Sequence, residues 1–328
     1  MKKLGALCAT VAMVLCSNAA QAVPFSSGDI FAAISNGKVA HYDHGGTLLQ
    51  TLDSGLGGYT TGMAFDGSGN LYSTNFSAGS ITRYDANGAI LPPNPYISGL
   101  ATPESIAFAA DGSFYVGTLG SSTQHYSSAG TLLQTYSMGR TDWLDLAANQ
   151  TTLFYNDESG TIRRWDLTTD TALPDFANNN LNGGTESFAL RILANGDVLS
   201  AADSLITQYD SAGLFLGSYD VTGVDGFFAL NLDPDGTHFW SGSFENGSLY
   251  EFLIGGFGAD SSITSFNTGV GSSALFGVAL AGEITAGGPP TDGAVPEPST
   301  WAMLLLGFGT IGYQMRKTRS IKVKYQSA

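Results

Sequence analysis

The chain has 328 residues, of which 43% are hydrophobic and 12% are charged, and 28 acidic residues stand against 13 basic ones. All 28 acidic residues but only six of the basic ones lie within residues 23–300, which gives this stretch a net charge of −22. A surface with this excess of negative charge repels nucleic acids and anionic lipids, so the composition excludes nucleic-acid binding.

The first residues have the features of a secretory signal peptide. A Lys-Lys pair precedes an apolar run over residues 4–15, and Ala20 and Ala22 frame a small-x-small cleavage site. The run is shorter than the roughly 20 residues that a membrane-spanning helix needs. We expect signal peptidase to cut after Ala22. Because both cysteines, Cys8 and Cys16, precede this cut, the mature chain would contain no thiol and no disulfide.

Between the two ends, an aromatic residue followed by a polar one recurs about every forty residues. The six aromatic positions are separated by 42, 42, 39, 44 and 41 residues. The pairs are Tyr42-Asp43, Tyr84-Asp85, Tyr126-Ser127, Trp165-Asp166, Tyr209-Asp210 and Tyr250-Glu251. A fixed period in this range is typical of repeat architectures.

Each repeat has the same internal order. An apolar strand such as residues 105–108 is followed by a tight turn, here Asp111-Gly112, and by a second strand at residues 113–116. The third strand ends in the aromatic pair, and a fourth follows another glycine turn, as at residues 131–134. Four short antiparallel strands per period predict one blade of a β-propeller.

The two ends of the repeat region complement each other. The first unit begins at residue 28 with what reads as a second strand, so its innermost strand is missing. Residues 273–280 read as an innermost strand with nothing after it. We therefore predict an all-β, six-bladed propeller over residues 23–286, closed by a C-terminal strand that completes the first blade and covers the open sheet edges.

The repeats resemble those of NHL-repeat and gluconolactonase-like six-bladed propellers. The resemblance covers residues 28–286 and rests on the order of apolar strand, Asp-Gly turn, Leu/Phe-Tyr strand and Tyr-Asp strand. It implies that a ligand would bind at the mouth of the central channel. Gluconolactonase-like enzymes hold a metal there with acidic and Asn ligands from innermost strands, and this chain does not reproduce a recognisable set of those residues.

Four carboxylates are expected where consecutive innermost strands begin: Glu104, Asp142, Glu186 and Asp225. Carboxylates that converge on an axis repel one another unless a cation or water neutralises them. Oxygen ligands alone suit Ca²⁺ better than zinc, so the pattern suggests a calcium or other divalent-metal site. The alternative is four separate, solvated loop carboxylates on a very acidic protein.

The C-terminal region combines a short motif, an apolar segment and a basic cluster. A Gly- and Pro-rich linker at 287–295 precedes the motif, residues 301–313 are apolar, and basic residues follow at 316, 317 and 319. The motif residues are Val295, Pro296, Glu297, Pro298, Ser299 and Thr300. By the positive-inside rule, the basic cluster and the tail at 321–328 would stay cytoplasmic.

This order, over residues 296–320, resembles the PEP-CTERM sorting signal of Gram-negative bacteria. The resemblance implies transient anchoring in the inner membrane through residues 301–313, processing near residues 296–298 by an exosortase, and delivery to the cell surface or extracellular matrix. The alternative is a plain C-terminal membrane anchor with a proline-rich lead-in.

Three functions compete. The first is a non-enzymatic surface or matrix protein that binds an extracellular polysaccharide or a protein through one propeller face. The second is a divalent-metal-dependent hydrolase or lactonase at the channel mouth, and the third is a purely structural matrix component. No Gly-x-Ser-x-Gly elbow stands between a strand and a helix, so a serine triad cannot be recognised.

Overall fold

The computed structural model describes residues 22–120 and 122–288, which form 25 β-strands and one short 3₁₀-helix, Asn179–Leu181. The strands make six antiparallel sheets, five of four strands and one of five. The predicted six-bladed propeller is therefore confirmed, whereas its closer resemblance to NHL-repeat propellers stays a prediction. The predicted signal peptide up to residue 21 and the sorting signal, with the helix predicted for its apolar segment, lie outside the described residues. Within those residues, no helix is long and apolar enough to cross a membrane.

The blades are numbered in chain order, and the strands of each blade are given from the axis outward. Blade 1 contains β25 (Leu275–Leu280), β1 (Ile30–Ile34), β2 (Lys38–Tyr42) and β3 (Leu48–Asp53). Blade 2 contains β4 (Thr60–Phe65), β5 (Leu71–Asn75), β6 (Ser80–Tyr84) and β7 (Ile97–Ser98). Blade 3 contains β8 (Pro103–Phe108), β9 (Phe114–Thr118), β10 (Thr123–Tyr126) and β11 (Leu132–Tyr136).

The second half of the ring follows the same order. Blade 4 contains β12 (Trp143–Leu146), β13 (Thr152–Asn156), β14 (Thr161–Asp166) and two outer pieces, β15 (Thr171–Ala172) and β16 (Ala177–Asn178). Blade 5 contains β17 (Ala189–Ile192), β18 (Val198–Ala201), β19 (Ile206–Tyr209) and β20 (Phe215–Tyr219). Blade 6 contains β21 (Phe227–Leu232), β22 (His238–Ser243), β23 (Ser248–Leu253) and β24 (Ser262–Asn267).

The Asp-Gly turns behave as the sequence predicts. In blade 3 the amide of Gly112 donates to the carbonyl of Ala109, and Gly112 has a φ of 81°, which a residue without a Cβ adopts at little cost. The carboxylate of Asp111 accepts from the backbone N–H of Ser113 at 2.9 Å. This side-chain bond replaces a backbone bond in the turn and fixes the register of β8 with β9.

The ring closes through the pairing of β25 with β1. Ile30 lies opposite Leu280, Phe31 opposite Ala279 and Ala33 opposite Gly277 in an antiparallel ladder. Each innermost strand also contacts the next one around the axis, from β25 through β4, β8, β12, β17 and β21 back to β25. The predicted closure of the first blade by a C-terminal strand is therefore confirmed.

The core lies between neighbouring blades. At the seam between blades 6 and 1, for example, Tyr42 and Leu280 pack with Trp240 and Leu249 in one buried cluster. Neighbouring strands come very close near the axis, where a Cβ on Gly277 would lie 2.1 Å from the carbonyl oxygen of Thr61. We call the face where the six innermost strands begin the upper face, and the face where they end the lower face.

We expect Gly277→Ala to lower the free energy of unfolding by roughly 1–3 kcal/mol, because the added methyl group meets backbone that cannot move aside. Urea denaturation measures this value. The matched control is Gly45→Ala, since a Cβ there meets only the Asp43 side chain at 3.4 Å, and we expect a change below about 0.5 kcal/mol. Equal effects of the two variants would contradict close packing of β25 on β4.

Candidate functional site at the upper mouth

The structure separates the four predicted carboxylates into two groups. Glu104 and Asp142 are buried at 6% and 2% exposure where the innermost strands of blades 3 and 4 begin. Glu186 is half-buried and Asp225 is exposed, and both lie in the loops that lead into blades 5 and 6. Among the described residues, no three of these carboxylates have ligand atoms within 4.8 Å of one another.

Glu104 and Asp142 form a close acidic pair. Within the described structure, Oε2 of Glu104 and Oδ2 of Asp142 are buried and accept no hydrogen bond. The other oxygen of Asp142 accepts from Nε of Arg140 at 2.7 Å, and Nη2 of Arg140 lies 2.5 Å from Oε2 of Glu158. One arginine therefore faces three carboxylates, which leaves the group negative.

Burial and mutual repulsion raise the pKa values of this pair. Burial lifts the pKa of Glu104 well above its usual range, and the charge of Asp142 lifts it further. Burial also raises the pKa of Asp142 to about 6, although the hydrogen bond from Arg140 opposes the shift. The two carboxyl groups can therefore share one proton near neutral pH.

Glu186 lies near the same group of negative charges, and Asp225 lies in the loop that leads into blade 6. Burial raises the pKa of Glu186, and the charges of Asp203 and Glu158 add to the shift. At Asp225 the backbone carbonyl accepts a hydrogen bond from Ser243. The divalent-metal site predicted for the four carboxylates stays a prediction.

The six innermost strands present one equivalent position to the upper mouth. In blades 2, 3, 5 and 6 this position lies eight residues before the glycine of the first turn. It is occupied, from blade 1 to blade 6, by Phe276, Thr61, Glu104, Asp142, Phe188 and Phe228. The predicted residues Glu186 and Asp225 precede this position by two and three residues, so phenylalanines stand where carboxylates were expected.

A β-bulge explains why this position reaches the mouth. In blade 3, Pro103 pairs with Thr118 and Ser105 with Gly117, which leaves Glu104 as the extra residue. Phe228 and Phe276 are the extra residues at the same place in blades 6 and 1. A bulge turns its extra side chain away from the regular alternation of the strand, and bulges are frequent at rims and active sites.

Half of the upper mouth is aromatic, a feature that the sequence reasoning missed. Five rings form a continuous arc from blade 5 across blades 6 and 1 to blade 2. Successive centroids are separated by 4.9, 5.8, 5.5 and 4.7 Å in the order Phe188, Phe228, Phe244, Phe276, Tyr59. Tyr59 is exposed and the four phenylalanines are half-buried, so ring edges and faces are open to a ligand.

The recurring motif could have revealed this arc. Ser187-Phe188-Ala189-Leu190, Phe227-Phe228-Ala229-Leu230 and Leu275-Phe276-Gly277-Val278 place a phenylalanine before a small residue in three blades. The matching position in blades 3 and 4 is a carboxylate. Aligning the repeats on the glycine turn, rather than on the aromatic-acidic pair, brings these positions into register.

The lower mouth is covered by the chain itself. Residues 281–288 run from the end of β25 to blade 4, where Nε2 of Gln150 donates to the carbonyl of Gly287 at 2.8 Å. On the way, Oε1 of Glu283 accepts from Nε of Arg191 at 2.8 Å and from the backbone N–H of Leu232 at 3.1 Å. A cavity of 390 Å³ remains beneath this segment. The described chain therefore crosses the lower mouth, whereas the strand starts described above line the upper one.

Comparison with known proteins identifies the C-terminal signal and the fold. Residues 294–320 match the family model described as the PEP-CTERM protein-sorting motif, which marks an exosortase-processed, exported protein associated with the cell envelope of a Gram-negative bacterium. A search of curated proteins finds no match. The fold is similar to that of a chain in "Crystal structure of Nidogen/Laminin Complex", with a TM-score of 0.62 and 15% identity over 77% of this chain and 98% of that chain. At this identity the likeness shows the propeller fold alone.

The acidic pair predicts a pH dependence of stability. Since folding raises both pKa values, the pair contributes most stability below the unfolded pKa values of about 4. The contribution of Asp142 is lost as pH rises through about 6, and that of Glu104 is lost as pH rises through its own raised pKa. Glu104→Gln supplies a permanent donor to Asp142. We expect its melting temperature to exceed that of the wild type by about 2–4 °C at pH 7.5 and to equal it at pH 4.

Asp225→Asn is the matched control, because it removes one negative charge from an exposed position at the same face. We expect it to shift the melting temperature by less than about 1 °C at either pH. Burial also raises the pKa values of Asp145, Glu251 and Glu283, so these groups add to the pH dependence of the melting temperature. Their contributions are the same in each variant and in the wild type, and they cancel when the two are compared at one pH. A lower melting temperature for Glu104→Gln at pH 7.5 would count against a shared proton.

Proposed function

We propose that this exported, exosortase-processed propeller is a non-enzymatic binding module whose upper mouth holds neutral glycan chains outside the cell. The observation that supports this proposal is the division of the six equivalent positions at the upper mouth. Three phenylalanines occupy one side of the mouth, and Thr61, Glu104 and Asp142 occupy the other.

The two sides suit the two kinds of surface on a sugar. The C–H faces of a pyranose ring are apolar and pack against aromatic rings such as Phe228 and Phe276. Sugar hydroxyls donate hydrogen bonds to carboxylate oxygens, and Oε2 of Glu104 and Oδ2 of Asp142 accept no hydrogen bond within the described structure. Because both oxygens are buried, the two side chains would have to turn toward the channel to reach a sugar. A concave, largely apolar mouth with a few converging polar groups is the usual form of a ligand site.

Charge selects among glycans. Among the described residues, Arg140 is the one cation that acts on the carboxylates of this mouth, which are Glu104, Asp142, Glu158 and Glu186. A polysaccharide that carries carboxylates or sulfates would be repelled by this group and by the net charge of the domain. Neutral hexose polymers avoid that repulsion.

The chain leaves the propeller at the lower face, so the upper mouth would point away from the membrane. The described chain ends at Gly288, directly after Gly287, which lies beside Leu146 and Gln150 on the lower face. Seven residues lie between Gly288 and Pro296, and the greatest distance from Gly288 to Pro296 is about 28 Å. Until the sorting signal is processed, the lower face would therefore stay near the membrane and the upper mouth would face outward.

A divalent-metal-dependent hydrolase or lactonase is the second candidate. It is favoured by the unpartnered oxygens of Glu104 and Asp142, which a cation such as Ca²⁺ would satisfy together with Glu186 and Asp225 after local movement. In that case Ca²⁺ raises the melting temperature by mass action, and Glu104→Gln abolishes the effect. No shift with Ca²⁺ and a glycan-dependent shift would favour the binding module.

Affinity electrophoresis of the purified protein tests glycan binding. We expect gels that contain neutral glucans to retard the protein, and gels that contain alginate to have no effect. Phe228→Ala should reduce the retardation by about tenfold in apparent affinity, because the substitution interrupts the aromatic arc.

The matched control is Phe215→Ala, since Phe215 is 43% exposed on β20, at the outer edge of blade 5. We expect this variant to migrate as the wild type does in every gel. Equal loss in both variants, or no retardation in any neutral polysaccharide, would contradict the proposal and leave a protein ligand or a structural role.

A further inference from the structure

A second cluster of ligand-type side chains lies on the lower face, at the seam where blade 6 meets blade 1. We propose that His44, Asp233 and Glu251 form a binding site for a divalent transition-metal ion of the zinc type. His44 lies in the turn between β2 and β3, Asp233 directly follows β21, and Glu251 lies on β23. The site is independent of the proposed upper-mouth function.

The three side chains are already close to ligating distance. One ligand atom from each lies within 4.8 Å of the other two. Nδ1 of His44 is 3.5 Å from Oδ2 of Asp233, and Nε2 is 3.6 Å from Oε1 of Glu251. Ligand atoms around a tetrahedral zinc ion are about 3.4 Å apart. The two distances involve different nitrogens of one ring, so His44, which is 52% exposed, would have to turn to bring Nε2 within reach of both carboxylates.

Asp233 provides a second, independent indication of a missing partner. Its side chain is only 5% exposed, and among the described residues Oδ2 accepts no hydrogen bond although it points at His44. Its other oxygen accepts from the backbone N–H of Asp235 at 3.0 Å. A buried carboxylate oxygen without a donor is costly, and a bound cation would remove that cost.

The imidazole of His44 is oriented as metal-binding histidines are. Nδ1 lies 3.3 Å from the backbone carbonyl of Gly28, which can accept its proton. Nε2 then carries the lone pair and faces the carboxylate of Glu251. Histidine ligands regularly donate the other ring N–H to a backbone carbonyl, which fixes the tautomer.

The surroundings favour a cation. Within the described residues, no arginine or lysine forms an ion pair with Asp233 or Glu251, and Asp235 adds a third negative charge nearby. The other histidine in this region, His238, is paired with Asp235. Among the described residues, His44 is thus the only basic side chain in ion-pair distance of Asp233 and Glu251, and the charge of His238 has a smaller effect on Glu251.

The donor set selects the kind of ion. One imidazole nitrogen and two carboxylate oxygens suit Zn²⁺ and its first-row neighbours, whereas Ca²⁺ takes six to eight oxygen ligands. Three protein ligands leave a fourth position for water. Because the ligands come from blades 1 and 6, the ion would also link the two blades that the ring closure joins.

Isothermal titration of the purified full-length protein with ZnCl₂ tests the site. We expect one equivalent to bind, and His44→Ala and Asp233→Asn each to weaken that binding by more than about tenfold. His238→Gln is the matched control, because it removes the neighbouring histidine and should change affinity by less than about twofold. Binding that survives both site variants, or that is lost only in His238→Gln, would overturn the proposal.

Trp240 provides a readout that does not depend on heat of binding. Its ring centroid is 5.8 Å from that of His44, so a paramagnetic ion such as Ni²⁺ bound there should quench its fluorescence. We expect the quenching to be saturable, reversed by EDTA and absent in both Trp240→Phe and His44→Ala. Quenching of equal size in Trp240→Phe would place the ion elsewhere and contradict the assignment.

Discussion

The ladder between β25 and β1 is the constraint on which the rest of the structure depends. Without it, blade 1 would have three strands and an exposed edge, and blade 6 would have no neighbour on one side. The ladder joins residues 30–34 to residues 275–280, so chain ends that are far apart in sequence become adjacent. The channel and both of its mouths exist only in the closed ring.

Closure also gives the six innermost strands equivalent positions. One residue per blade, which is bulged in blades 1, 3 and 6, therefore decides the chemistry of the upper mouth. Phe228 and Phe276 make one side apolar, while Glu104 and Asp142 make the other side acidic. The scaffold can therefore change its ligand by substitution at few positions without disturbing the packing between blades. The lower mouth is different, because Glu283 and Arg191 hold a segment of the chain across it.

The fold could be predicted largely from local signals. The forty-residue period and the Asp-Gly turns report pairing between strands that are neighbours in sequence, and the unpaired strand at 273–280 matches the place left empty in the first blade. All three predictions were confirmed. The site was harder to predict. Glu104 and Asp142 were placed correctly at strand starts, but a shift of two or three residues assigned Glu186 and Asp225 to positions that phenylalanines hold. His44 and Asp233 meet only through closure, and no local pattern encodes that contact.

The segment at residues 281–288 has a mechanical consequence for a protein that carries a tether at this end. A pull on the chain beyond Gly288 acts first on the hydrogen bond between Gly287 and Gln150, next on the Glu283–Arg191 pair and then along the length of β25. Because β25 runs toward the lower face, the load falls in shear on all of its hydrogen bonds to β1 together, rather than opening them one at a time. The join that completes the ring is also the part of the molecule that bears tension.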